Sequence, residues 1–222
     1  MPSDSENKLL VDSVRLEYGS RTVLQSVFLT AEKGRVTGIL GRNGCGKSSL
    51  FKCIMGGVKP QNMFIRFGDE PRADYGHIGR RVRYLPQNLL IPKKMTLGAA
   101  FDLYGVDYDG LVAFENDFHS FQRTPAGMLS GGQARIAEMY LILMSDSEFC
   151  ILDEPFTNIA PIYVEKMKEL IKERKTDKGI IVSDHLYEDI ISVADDLFLL
   201  RDGYTFPIRD NEDLIRLGYR PA

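Results

Sequence analysis

Hydrophobic and polar residues change their spacing several times along this chain, and each change marks an element. Residues 9–16 and 22–30 mix β-branched and apolar side chains with polar ones on either side of Tyr18-Gly19-Ser20, which predicts two antiparallel strands joined by a turn. Val36-Thr37-Gly38-Ile39-Leu40 is short and almost wholly apolar, the pattern of a buried strand. Residues 82–85, 149–152 and 180–182 read the same way. Residues 47–55 form a predicted helix that stops at Gly56-Gly57, because glycine ends a helix without backbone strain. Val164, Met167, Leu170 and Ile171 recur at helical spacing, and the charges of residues 165–175 around them read as a solvated helix face. Short apolar strands alternating with helices predict an α/β fold with a mainly parallel sheet.

Between residues 92 and 144 the pattern turns helix-like and aromatic. Phe101, Tyr104, Phe114, Phe118 and Phe121 are expected to form the core of that stretch. With 222 residues, 44% of them hydrophobic and 27% charged, the chain is long enough for one compact domain with a subdomain inserted in it. No internal repeat, long linker or low-complexity segment interrupts it.

Charge and cysteine content narrow the picture. A net charge of -3 and a pI near 5.7 give no electrostatic reason to expect nucleic acid as a partner. The first residues lack the basic-then-apolar order of a signal peptide, and no apolar run approaches the roughly 20 residues needed to cross a bilayer, so a cytoplasmic protein is expected. Cys45, Cys53 and Cys150 have neither metal-ligand spacing nor a CxxC pair. Cys150 reads as a core residue; Cys45, at a helix N-terminus that can lower a thiol pKa, reads as a small side chain that fits its loop.

The candidate chemistry lies in three segments. Gly41-Arg42-Asn43-Gly44-Cys45-Gly46-Lys47-Ser48 matches G-x-x-x-x-G-K-[ST], with a strand before it and a helix after it. Glycines let successive backbone N–H groups curl around a phosphate, Lys47 reaches the β and γ oxygens, and Ser48 offers a hydroxyl to Mg²⁺. Phe149-Cys150-Ile151-Leu152-Asp153-Glu154 is an apolar strand ending in two carboxylates. Asp153 suits Mg²⁺, largely through its waters, and Glu154 suits a general base acting on the attacking water. Leu129-Ser130-Gly131-Gly132-Gln133 is a second glycine turn opening a helix, where Ser130 and the Gly131 and Gly132 amides form an anion site.

Together these segments resemble the ATP-binding cassette (ABC) family over about residues 9–204. The resemblance implies a P-loop NTPase core, residues 9–91 and 145–222, that includes an N-terminal antiparallel β subdomain, with residues 92–144 as an inserted helical subdomain bearing the signature Leu129 to Gln133. It implies ATP and Mg²⁺ as ligands, with Ser49 added to the phosphate-loop contacts. Tyr18 stands where the family stacks an aromatic ring on adenine, although Tyr18-Gly19 reads equally as a turn. Gln87, after Tyr84-Leu85-Pro86, matches the Q-loop glutamine that senses Mg²⁺ and the nucleophilic water. His185 matches the switch histidine that donates to the γ-phosphate. The implied assembly is a head-to-tail dimer with a second ABC subunit, identical or not, in which each signature closes the other chain's ATP site. That pair docks on membrane-spanning permease subunits, the exposed stretch Leu89-Leu90-Ile91-Pro92 lying near the contact, so the chain sits peripherally at the inner membrane face.

Two departures from the family pattern stand out. The loop after Glu154-Pro155 usually ends in Asp-Pro, and here it ends in Ala160-Pro161. The signature helix has Arg135 but places Ile136 and Leu141 where arginine is frequent. Both bear on rate and on communication between sites more than on nucleotide binding. A soluble, non-transport ABC ATPase and a regulatory ATP-binding switch are the alternative functions.

Overall fold

The computed structural model describes residues 7–185 and 187–219. Strand β1 (Lys8–Tyr18) and strand β2 (Arg21–Glu32) pair antiparallel from Lys8↔Glu32 to Tyr18↔Arg21, as their alternating pattern predicts. A bulge lies between Val11 and Val14, where Ser13 takes a positive φ of 55°. The extra residue shifts the alternation, so that Val11 and Val14, three apart, both point inward and are fully buried. Strand β3 (Val36–Leu40) runs into the phosphate loop, and helix α1 (Lys47–Ile54) follows it. Strand β4 (Asn62–Phe67), absent from the sequence expectation, completes the antiparallel layer along β1.

Helix α2 (Tyr75–Arg81) leads into β5 (Val82–Leu85). Beyond it come α3 (Leu97–Tyr104), α4 (Tyr108–Phe114) and the long α5 (Gly131–Met144). Thr96 and Asp107 cap α3 and α4, each side chain accepting a bond from a first-turn amide. The aromatic residues form the core of this stretch, with Phe101 edge-on to Tyr108 at 5.2 Å and Phe114 5.4 Å from Tyr140. Helix α5 is buried from Ala134 to Leu143, and that span includes the charged Arg135 and Glu138 among its apolar residues.

The remainder supplies β6 (Phe149–Asp153), α6 (Pro161–Arg174), β7 (Gly179–Ser183), α7 (Tyr187–Val193), β8 (Asp196–Arg201), β9 (Tyr204–Ile208) and α8 (Asn211–Arg216). The strands β5, β6, β7, β3 and β8 are parallel neighbours, which puts their C-terminal ends on one edge of the molecule. Strands β8 and β9 form a hairpin turned by Asp202 and Gly203, both at positive φ, and β9 meets β2 at Ser26↔Tyr204. The full order is therefore β4-β1-β2-β9-β8-β3-β7-β6-β5, a mixed sheet of nine strands among the described residues. One apolar core lies between the sheet and α3 to α8; another fills the space between α1, the antiparallel layer and the opposite face. Gly38 in β3 is tightly packed: a Cβ there would come within 2.6 Å of Ile190 and 2.7 Å of Leu197, so a larger residue would force those side chains, and α7 with them, to shift.

Two expectations need correction. Of Leu89-Leu90-Ile91-Pro92, Leu89 and Pro92 are exposed and Leu90 is half-buried, but Ile91 is 3% exposed and belongs to the core. The charged face of α6 is not wholly solvated either: Lys168 is buried and bridges Asp189 of α7 at 2.6 Å and Glu165 at 2.8 Å.

Candidate functional site

The phosphate loop leaves β3 at Leu40 and turns back through Gly44 at φ 78° and Gly46 at φ 112°, values that favour glycine. Gly41 is constrained by space, since a Cβ would come within 2.5 Å of Cys45 Sγ and 2.8 Å of the Leu200 carbonyl. Cys45 is thus packed against the loop, and burial pushes its thiol pKa up, opposite in sign to the lowering a helix N-terminus alone would give. Lys47 is 5% exposed and donates from Nζ to the Gly41 carbonyl at 2.6 Å and the Arg42 carbonyl at 3.5 Å.

At the end of β6, Asp153 is completely buried. Its two oxygens accept from Ser183 Oγ at 3.0 Å and from the Tyr84 hydroxyl at 3.1 Å. Burial and the adjacent Asp153 carboxylate push the Tyr84 pKa up, so Tyr84 stays a donor. Glu154 next to it has φ 51°, a left-handed backbone that costs a non-glycine residue about 1–2 kcal/mol. Gln87 Nε2 donates to Glu154 Oε2 at 2.7 Å, and His185 Nδ1 lies 3.7 Å from that oxygen and 3.1 Å from Asp184 Oδ1. Three loops from the C-terminal edge of the sheet thus bring Gln87, Glu154 and His185 to one carboxylate oxygen.

A cavity of about 600 Å³ opens over this cluster, lined by Tyr18, Asn43, Gly44, Gly46, Lys47, Ser48 and Ser49 together with Gln87, Glu154 and His185. Arg21 and Val23 line it as well. Neither belongs to a motif, and their place just after the Tyr18 turn is the one local signal for them. Arg42 and Cys45 line a neighbouring cavity of about 400 Å³, where Arg42 Nη2 donates to the Gly218 carbonyl at 3.2 Å. Gly41 lies with Arg42 and Asn43 on a third opening beside His185 and Tyr219. Asp153 lies beneath the main cavity rather than on it.

None of Leu129, Ser130, Gly131, Gly132 and Gln133 lines that cavity. They begin α5, where Ser130 Oγ accepts from the Gln133 amide at 3.2 Å and Gln133 Oε1 accepts from the Ser130 amide at 3.0 Å, a reciprocal capping box. Ser130 and Gly131 are exposed. Gly132 packs beside the loop after Glu154: a Cβ there would come within 3.1 Å of the Asn158 carbonyl. The phosphate loop and the signature therefore face separate regions of surface.

The donor set around Lys47 suits a magnesium nucleotide. Ser48 on the cavity is a hard oxygen donor. Asp153 is another but lies beneath the cavity with its oxygens bonded to Tyr84 and Ser183, so it would reach the metal through water, and the Gln87 amide nitrogen is engaged by Glu154. These are too few ligands for a closed cage, as fits a metal that keeps its waters and arrives with phosphates. When bound, Mg²⁺ would neutralise phosphate charge. The loop amides and Lys47 could cradle phosphates, and the Glu154 carboxylate at the cavity has the chemistry to accept a proton from a water placed there.

In the sequence Arg135 stands out only as one basic residue of a helix poor in them. Its guanidinium is buried and donates to the carbonyls of Pro86, Asp153 and Glu154, directly behind the cluster.

Comparison with known proteins adds a family to this geometry. The family described as "ABC transporter" matches residues 24–157, more than half of the chain. A "Probable ABC transporter ATP-binding protein" of Azorhizobium caulinodans is 28% identical over 229 residues, covering 96% of this chain and 81% of its own. The "Lipopolysaccharide export system ATP-binding protein LptB" of Acidithiobacillus ferridurans is 27% identical, covering 93% and 92%. In fold the chain is similar to a solved "ATP binding subunit of ABC transporter", with a TM-score of 0.82 at 21% identity over 96% of this chain and 95% of that one.

Proposed function

The chain belongs to the ABC transporter family, and from that premise we propose that it is the ATP-hydrolysing subunit of a transporter whose membrane-spanning subunits are separate chains. The observation that carries this reading is the meeting of Gln87, Glu154 and His185 at one oxygen beside the phosphate loop. A protein that only holds nucleotide needs the loop but not an oriented carboxylate at its mouth. In this reading Lys47, Ser48 and Ser49 bind the phosphates, Tyr18 takes the adenine, and Glu154 acts as general base with His185 at the γ-phosphate. The signature, turned away from its own cavity, supports a head-to-tail pair in which Ser130 to Gln133 of one chain closes the ATP site of the other. No helix among the described residues is long and apolar enough to cross a membrane, so the transport path in this reading is supplied by partners at the inner membrane face. Several relatives are named for lipopolysaccharide export, and the reading commits to no substrate.

The test is Glu154→Gln, which keeps the phosphate contacts while removing the base. Turnover is expected to fall roughly 10²-fold or more. The variant should run as a monomer alone and as a dimer with MgATP in size-exclusion chromatography with light scattering, and adding Ser130→Arg should abolish that dimer. Wild-type turnover by Glu154→Gln would reject the base; an ATP-dependent dimer of the double variant would reject the signature as the clamp.

A further inference from the structure

We propose that Arg135 is a positioning residue for hydrolysis: from α5 it grips the carbonyls of Pro86, Asp153 and Glu154 and so fixes the backbone that aims the Glu154 carboxylate. The proposal rests on the ATPase reading above and adds to it a residue that touches no ligand.

The argument starts from the backbone of Glu154. Pro155 follows it, and a residue before proline is pushed by steric clash toward extended conformations, yet Glu154 sits at φ 51°. Such a conformation persists only where its surroundings determine it. The Glu154 amide donates to the Ser183 carbonyl at 2.7 Å, which fixes the peptide ahead of it. The peptide behind it has no N–H, because Pro155 lacks one. That peptide's carbonyl accepts a long bond from the Thr157 amide at 3.4 Å and a shorter one from Arg135 Nη2 at 2.9 Å, and Nη2 donates to the Asp153 carbonyl as well. Arg135 Nη1 donates to the Pro86 carbonyl at 2.6 Å, one residue before Gln87. A single planar guanidinium therefore ties the two segments whose side chains meet at Glu154 Oε2.

Residue type matters here. Guanidinium presents five donors in a rigid fork and keeps its charge when buried, while an ammonium has one donor centre and cannot span all three carbonyls. Arg135 is 7% exposed and its three hydrogen bonds all go to main-chain oxygens. Glu138, one turn further along α5, accepts from the Leu90 amide at 2.7 Å and the Ile91 amide at 2.9 Å, so α5 also holds the far end of the Gln87 loop. The carboxylate and its glutamine partner are thus set against one helix.

The test uses the full chain with Arg135→Lys and Arg135→Gln, each made alone and in the Glu154→Gln background. Steady-state kinetics with MgATP should show kcat falling roughly 10- to 100-fold in Arg135→Gln, with KM for ATP within about twofold of the wild type. Arg135→Lys should recover part of the loss. In the Glu154→Gln background, single-turnover measurements should show less than about a twofold further loss, because a residue acting through Glu154 has nothing left to position. Equal fold-losses in the two backgrounds, or a rise in KM with unchanged kcat, would overturn the proposal. Thermal melts identify a variant that does not fold; should Arg135→Gln be one, Arg135→Lys carries the same comparison, and wild-type kcat in a folded Arg135→Lys overturns the proposal too. A wild-type chain that hydrolyses no MgATP would overturn the ATPase reading, and this inference with it, whereas an active wild type with unaffected Arg135 variants overturns the inference alone.

Discussion

At the scale of single residues, the centre depends on groups that are held rather than merely present. Asp153 is fully buried and keeps both oxygens on hydroxyl donors, Tyr84 and Ser183. Buried carboxylates are tolerated only when hydrogen bonds replace their lost water. Tyr84→Phe should therefore destabilise the free protein by about 1.5–3 kcal/mol, the usual loss for a hydrogen bond to a charged group, while leaving the ring packing in place. Urea unfolding measures this directly, and an unchanged midpoint would mean that the Tyr84 bond contributes nothing. The roles proposed for Lys47, Asp153 and Glu154 are legible in the sequence because each lies in a contiguous motif. Tyr84 and Arg135 are not, since their work lies in contacts to residues 69 and 18 positions away in the chain.

At the scale of elements, α6 begins without a cap. Ala160 occupies its N-cap position and makes no side-chain bond, although Pro161 suits the first helical turn. Ala160→Asp should supply the missing acceptor and raise stability by about 0.5–2 kcal/mol, read as a higher unfolding midpoint. It should also change the Hill coefficient of ATP hydrolysis more than the affinity for ATP, because this loop lies beside the signature and does not line the main cavity. Large affinity changes with an unaltered Hill coefficient would contradict that. Elements with one strong period were readable in advance: the first two strands, the buried strands β3, β5, β6 and β7, and helices α1 and α6. Strand β9 was not, since Pro207 sits inside it and a proline argues against a strand; its antiparallel pairing with β8 is a long-range fact. Nor does an apolar run reveal which members it will bury, and Ile91 turns inward while Leu89 stays out.

At the scale of the whole molecule, that split defines how docking should be tested. Leu89→Glu changes an exposed side chain and should weaken recovery of a multi-span membrane partner in affinity purification without lowering the melting temperature. Ile91→Glu should instead unfold the protein, because it places a charge in the core. If Leu89→Glu copurifies with its partner as well as the wild type does, this face is not the docking surface. The left-handed backbone of Glu154 bears on the molecule in another way. Glycine, and to a lesser degree asparagine, would relieve about 1 kcal/mol of strain there, and neither can replace the carboxylate. With Glu154 as the proposed base, thermal tolerance and turnover pull in opposite directions at this one position. A library selected for heat resistance alone would drift toward inert proteins, and a useful selection must demand ATP hydrolysis in every round.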